Sequence, residues 1–250
     1  MFRKLLIILS AVFAINAFPD RLGRIVNGDQ AVVGQVPFQV SLRAWGTTFH
    51  FAGGALISNR WVLTVAHKVS GRANNSINLV FGINLLTQSG TSRRSDQIHI
   101  HPDFNFESMQ NDLACVRLGS TVTIGQNIQS IFMLSGFINA NENVQVSGWG
   151  ATENDKGENS NALLILTQRT ISNDDCVSVY GNAIVNGHLC TTAITAGSGI
   201  CTSDVGGPLI LNANLVGIAS WHALPCGDSR PDVYTRISHY RSWINSVTSV

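Results

Sequence analysis

Residues 38–42 read FQVSL, and their alternation decides the fold class. Phe38, Val40 and Leu42 fall on one face of an extended chain and Gln39 and Ser41 on the other, the period of a strand rather than of a helix. Runs of the same kind recur outward from this point: WVLTVAH at 61–67, NLVFG at 78–82, DLACVRL at 112–118, VQVSGWG at 144–150 and LVGIASW at 215–221. Gly, Asn and Ser punctuate them, so the chain reads as all-β, a sandwich or barrels. The segment 118–130, with Gly119, Ser120, Gly125 and Gln126, reads as a connector between halves. The end differs. In RISHYRSWINSV, Ile237, Tyr240, Ile244 and Val247 recur at helical spacing with Trp243 beside them, which predicts a C-terminal amphipathic helix at about 236–248.

The 250 residues suffice for one large domain or two packed subdomains, and only 12% are charged. The first 17 residues, MFRKLLIILSAVFAINA, place Arg3 and Lys4 before an apolar stretch at 5–15, with Ile15 and Ala17 at the positions that precede a signal-peptidase cut. This is the pattern of a secretory signal, so the remainder is expected to be soluble and extracellular. The stretch is too short to span a bilayer. Without residues 1–24 the chain carries 12 Lys+Arg and 14 Asp+Glu, a net charge of −2. With no basic tract, neither nucleic acid nor heparin is an expected partner. Five cysteines in a secreted chain imply disulfides with one thiol left over. No CxxC or Cys/His pattern marks a zinc site, and His99 and His101, two apart on a strand, have no carboxylate or Cys partner in view. No metal or cofactor is expected. Asn74-Asn75-Ser76 is one N-glycosylation sequon, at Asn74.

Eight stretches carry a more specific message: RIVNG (24–28), FHFAGGALIS (49–58), WVLTVAH (61–67), NDLACVRL (111–118), SGWG (147–150), SDVGGPL (203–209), GIASW (217–221) and PDVYTRIS (231–238). In this order, from residue 25 to 250, they resemble the trypsin/chymotrypsin family of serine proteases. The resemblance implies two six-stranded antiparallel β-barrels, about 25–125 and about 126–235, with the active site in the cleft between them. It implies an activation propeptide at 18–24 after a signal peptide at 1–17. It places the catalytic histidine at His67, the aspartate that orients it at Asp112, and a serine that hydrogen-bonds this aspartate at Ser220. It pairs Cys176 with Cys190 and Cys201 with Cys226, leaving Cys115 in an apolar strand as a buried inert thiol or an intermolecular disulfide. Two positions of a further family disulfide hold Ala52 and Lys68, so a loop closure worth about 3 kcal/mol is missing. Lys68 puts a cation beside His67 unless it snorkels to solvent.

The family's nucleophile maps onto Val205. Valine has no oxygen and forms no acyl-enzyme. Loss of the serine in such a triad costs about 10⁶-fold in kcat, roughly 8 kcal/mol of barrier. A neighbouring hydroxyl, Ser203 or Thr202, substitutes only within hydrogen-bond reach of His67. Ser203 itself replaces a glycine, and the backbone N–H groups of Ser203 and Val205 form an oxyanion hole only if the loop keeps its conformation. The specificity pocket maps onto Gly199, Ile200, Trp221, His222 and Asp232. Gly199 with Asp232 resembles the collagenolytic serine proteases of crabs and insects. His222 replaces a glycine on the strand that pairs with substrate, so a peptide-binding groove and a blocked one both fit. Arg24-Ile25 matches a zymogen cleavage site whose freed Ile25 ammonium pairs with Asp204, either as a working switch or as a relic. The leading expectation is a secreted, monomeric, non-catalytic homologue that binds peptides, protease inhibitors or an active protease. The alternatives are an active endopeptidase with an unexpected nucleophile and a drifted gene product without a selected role.

Overall fold

A computed structural model describes residues 25, 28–151 and 158–250. The signal sequence and propeptide expected at 1–17 and 18–24 lie outside them. After a two-residue strand β1 (Asp29–Gln30), six antiparallel strands close the first barrel: β2 (Gln39–Ala44), β3 (His50–Leu56), β4 (Trp61–Thr64), β5 (Ile77–Phe81), β6 (Thr91–Ile100) and β7 (Ala114–Leu118), in the order β2-β3-β4-β7-β6-β5. The second half adds β8 (Phe132–Met133), β9 (Asn143–Gly148), β10 (Leu164–Ile171), β11 (His188–Ala193), β12 (Pro208–Leu211), β13 (Asn214–Trp221) and β14 (Asp232–Arg236). Its ladder runs β10-β11-β14-β13-β12-β9, and pairing of β9 with β10 closes a second six-stranded barrel. β8 joins β13 in parallel, and β1 joins β10, with Asp29 opposite Ile165. Closure leaves the barrel strands without free edges.

The alternation in FQVSL places Val40 and Leu42 in the core, both fully buried. Its polar face is buried as well, at 3% exposure for Gln39 and 0% for Ser41. The reason is the neighbouring barrel: Ser147 Oγ of β9 donates to Gln39 Oε1 at 2.7 Å. One apolar cluster fills the first barrel and continues through Trp149, Leu215 and Ile218 to the C-terminal helix; a second, with Val146, Leu166, Leu189 and Tyr234, fills the second barrel. Ile25 belongs to this second core.

Among the described residues the α-helices are α1 (Ala66–Val69), α2 (Asn173–Tyr180) and α3 (Ile237–Thr248), with a 3-10 turn at Gly181–Ala183. α3 is the expected amphipathic helix. It buries Ile237, Tyr240, Ile244 and Thr248, with Val247 and Trp243 packed at its margin. α2 begins where Ser172 accepts from the Asp175 N–H at 3.0 Å, with Asp174 and Asp175 in its first turn complementing the helix dipole. No helix among the described residues is long and apolar enough to cross a membrane.

Candidate active site

β4 ends at Thr64 and the chain turns through α1, which presents His67 at the barrel's rim. Asp112 lies just ahead of β7, its side chain without solvent exposure. Two hydrogen bonds join them: His67 N–H donates to Asp112 Oδ1 at 2.9 Å and His67 Nδ1 to Asp112 Oδ2 at 2.8 Å. Because a carboxylate only accepts, Nδ1 carries the hydrogen of this bond. The second barrel grips the same aspartate. Ser220 Oγ of β13 donates to Asp112 Oδ2 at 2.6 Å, and Thr235 Oγ1 of β14 to the Asp112 backbone oxygen at 2.7 Å. The array thus spans both barrels. Among the described residues no hydroxyl bonds to His67 Nε2.

The loop before β12 is built by close backbone approach. Gly53 N–H donates to Val205 O at 2.9 Å, Gly206 N–H to Ala219 O at 2.8 Å and Gly207 N–H to Asp204 O at 2.9 Å. Any Cβ on Gly206, whose φ is +89°, would overlap Gly53 O. Val205 is 5% exposed and belongs to the main apolar cluster. Ser203 holds a φ of 77°, a left-handed conformation uncommon for a residue with a Cβ. Among the described residues the backbone N–H groups of Ser203 and Val205 donate to no acceptor, although both residues are buried. Buried N–H groups are normally paired, so this turn carries two donors free for an oxygen.

Asp204 is fully buried between the Gly148 and Gly150 backbones, where a Cβ on either glycine would overlap its carboxyl group. It accepts from Gly150 N–H at 2.7 Å and Cys201 N–H at 2.9 Å, and among the described residues no cation pairs with it. Burial pushes its pKa up from 3.8 to about 7, against those two bonds.

Residues 25–244 match the protein-family model described as Trypsin. The chain belongs to the trypsin family. It is 32% identical to trypsin of Xenopus laevis over 98% of this chain and 99% of that one, and 30% identical to trypsin I-P1 of Gallus gallus with the same coverage. It is 34% identical to transmembrane protease serine 11G of Rattus norvegicus over 92% of this chain, and spans 57% of that protein's length.

The trypsin-family disulfides are formed, Cys176–Cys190 and Cys201–Cys226, and Cys115 is a fully buried free thiol whose pKa burial raises well above its ordinary value. At the wall opposite Gly199, Asp232 accepts from Ile200 N–H at 2.9 Å and from Gln168 Nε2. Gln168 Oε1 in turn accepts from Thr191 Oγ1 at 2.8 Å and from Tyr234. A Cβ on Gly199 would lie 3.2 Å from Asp232 Oδ2, so the carboxylate stands over the glycine. Burial pushes the Asp232 pKa up to about 6. Trp221 packs edge-on to Tyr180 at 4.8 Å, and among the described residues its buried Nε1 has no hydrogen-bond partner. His222 is half-buried, with Nδ1 2.9 Å from Ala223 O.

Other sequence candidates lie apart from this array. His99 stacks against Trp61 and His101 against Trp243, and among the described residues no cluster of three His, Cys, Asp or Glu forms. Asn74 is exposed, its Oδ1 accepting from Ile98 N–H at 3.0 Å. Lys68 is partly buried, which lowers its pKa, with Asp112 opposing the shift. Three contributors were not singled out by sequence: His50, Gln168 and Thr235. A histidine or glutamine within an apolar strand context was the available signal, since a buried polar group implies a partner.

Proposed function

We propose that this trypsin-family chain is a secreted, non-catalytic homologue that acts by binding, with Val205 in the nucleophile's place. The observation that carries this reading is the ordered His67–Asp112–Ser220 array, to which no hydroxyl among the described residues bonds at His67 Nε2. A base, its orienting carboxylate and two N–H donors at Ser203 and Val205 support recognition of a peptide carbonyl. Covalent catalysis needs an attacking atom, and valine has none. Residues 1–17 act as signal peptide, 18–24 as propeptide and 25–250 as the working domain. Cleavage after Arg24 frees the Ile25 ammonium to pair with Asp204 and order the loop. Gly199, Ile200, Trp221, His222 and Asp232 line the subsite that holds a peptide, a protease inhibitor or a segment of an active protease. Asn74 carries a glycan, and the mature protein is a monomer.

The test is peptide hydrolysis by the Arg24-cleaved protein beside a Val205→Ser revertant, on basic and apolar substrates. The proposal expects a silent wild type and a revertant that cuts. Hydrolysis by wild type that disappears in His67→Ala overturns it in favour of an endopeptidase with a substitute nucleophile.

A further inference from the structure

A groove on the first barrel is lined by none of the residues discussed above as the active site. It consists of two adjoining hollows of about 580 and 600 Å³, both lined by Thr47, Thr48, Asn78 and Ser92. Arg43 lines one hollow and Trp45 the other, and neither lining includes a carboxylate. Arg43 is only 5% exposed. Its Nε donates to Ser41 Oγ at 3.1 Å and its Nη2 to Leu86 O at 2.9 Å, both neutral acceptors. Among the described residues no carboxylate lies within 4.0 Å of it. Buried charges are normally paired. A guanidinium that lines a cavity with neutral partners only is therefore a recognition group for an oxyanion, which its planar fork suits.

The rest of the wall indicates what carries that oxyanion. Hydroxyl and amide side chains dominate it. Thr47 Oγ1 donates to Ala44 O and Ser92 Oγ to Asn78 Oδ1, which leaves hydroxyl lone pairs and the Asn78 amide N–H groups to meet sugar hydroxyls. Trp45 is 51% exposed at one end, with Arg94 stacked at 4.2 Å on its ring, and offers an apolar edge for the C–H face of a sugar. The volume suits a small ligand. An extended peptide is disfavoured, because β2 is paired on both sides by β3 and β5, and β5 by β2 and β6. No strand edge is left for addition. The absence of a basic tract in the chain confines the site to one acidic unit rather than a polyanion.

We propose that this groove binds an acidic saccharide, its carboxylate or sulfate on Arg43 and its hydroxyls on Thr47, Asn78 and Ser92. The test is an NMR titration of the full chain with glucuronic acid, glucose 6-sulfate, glucose, sodium sulfate and N-acetyl-Asp-Glu. Saturable shifts at Thr47, Thr48 and Ser92 are expected with one or both acidic sugars, which also tells carboxylate from sulfate. Glucose, sulfate alone and the dipeptide should bind at least about tenfold more weakly. Asn78 lies opposite Arg43 in the β2–β5 ladder. Asn78→Asp should therefore pair with the guanidinium and weaken the acidic sugar at least about tenfold. Arg43→Gln should likewise weaken the acidic sugar at least about tenfold, and Asn78→Asp keeps the test decisive even if Arg43→Gln fails to fold. No shift with either acidic sugar overturns the proposal. So does sulfate, glucose or the dipeptide binding as tightly as the sugar, or an Asn78→Asp chain that binds as wild type does.

Discussion

His50 Nε2 lies 3.1 Å from the carbonyl oxygen of Ser203 and donates to it, tying β3 of the first barrel to the turn that precedes β12 of the second. The bond ends a polarised series. Arg43 Nε donates to Ser41 Oγ, and Ser41 Oγ lies 2.9 Å from His50 Nδ1, which accepts its hydrogen. A neutral imidazole with its hydrogen on Nε2 fits both neighbours, and burial favours that neutral form. The series holds the Ser203 carbonyl in place while Ser203 occupies its left-handed conformation.

Burial pulls the His50 pKa down from 6.5 to about 4, with the Ser203 bond opposing and Arg43 adding to the shift. Between these values the unfolded chain binds a proton that the folded chain refuses, so the contribution of His50 to stability falls as pH drops from about 6.5 to about 4. The full effect is about 3 kcal/mol. Asp204 and Asp232 titrate over the same range in wild type and His50→Gln alike, so the His50 contribution is read as a difference: in urea unfolding, the stability of wild type relative to His50→Gln should fall as pH drops across it. Equal slopes would mean that His50 is not held neutral.

Asp204 acts with the opposite sign in the uncleaved chain. Its pKa rises from 3.8 to about 7 on folding, so the folded state keeps a proton that the unfolded state releases. Stability conferred at low pH is then lost as pH rises through that window, by a few kcal/mol, and Asp232 at about 6 adds to the same trend. Asp204→Asn should flatten the decline. Cleavage after Arg24 supplies an ammonium at Ile25, and pairing with Asp204 should raise the melting temperature most above about pH 7, where the carboxyl is ionised, and below the pH at which the ammonium deprotonates. Identical melting of cleaved and uncleaved protein at about pH 7–8 would remove the activation switch from the proposed function.

The all-β class and α3 were legible because strand alternation and helical spacing are local properties of the chain; alternation left a sandwich or barrels open, and two six-stranded barrels followed only from the family resemblance. Phe38, Val40 and Leu42, or Ile237, Tyr240 and Ile244, announce their faces without knowledge of any partner. Burial of Gln39 and Ser41 was not legible, since it depends on Ser147 and on His50 arriving from elsewhere. The same holds for the site. His67, Asp112 and Ser220 stand out within their motifs, whereas Thr235 is one threonine among many until β14 brings it to the Asp112 backbone. α2 was missed although Ser172, three residues before Asp175, is a capping signal, because its eight residues bury only Cys176 and show little apolar period.

Ser203 at a φ of 77° predicts an inverted response to glycine. Ordinarily Ser→Gly destabilises by loosening the unfolded chain. Here glycine relieves a left-handed strain of about 1–2 kcal/mol, so Ser203→Gly should leave stability unchanged or raise it by up to about 1 kcal/mol. A loss beyond about 1 kcal/mol in thermal unfolding would show that the serine side chain contributes more than its strain costs.

Position 205 is placed by the glycine that follows it. Gly206 combines a φ of +89° with a Cβ position that overlaps Gly53 O and lies 2.5 Å from Thr64 Oγ1. Both obstacles are fixed: Gly53 is pinned by its N–H bond to Val205 O at 2.9 Å, and Thr64 Oγ1 by donation to Gly53 O at 2.8 Å. Gly206→Ala must therefore push the two barrels' backbones apart, at a cost of about 3 kcal/mol or more. Gly71 is the control. It has a φ of +74° and nothing within 4 Å of an added Cβ, so Gly71→Ala should show the backbone cost alone, about 1 kcal/mol. The difference in unfolding free energy between the two variants isolates the steric part. Equal costs would mean that the loop yields freely, and Val205 would then not be held where the family's nucleophile stands.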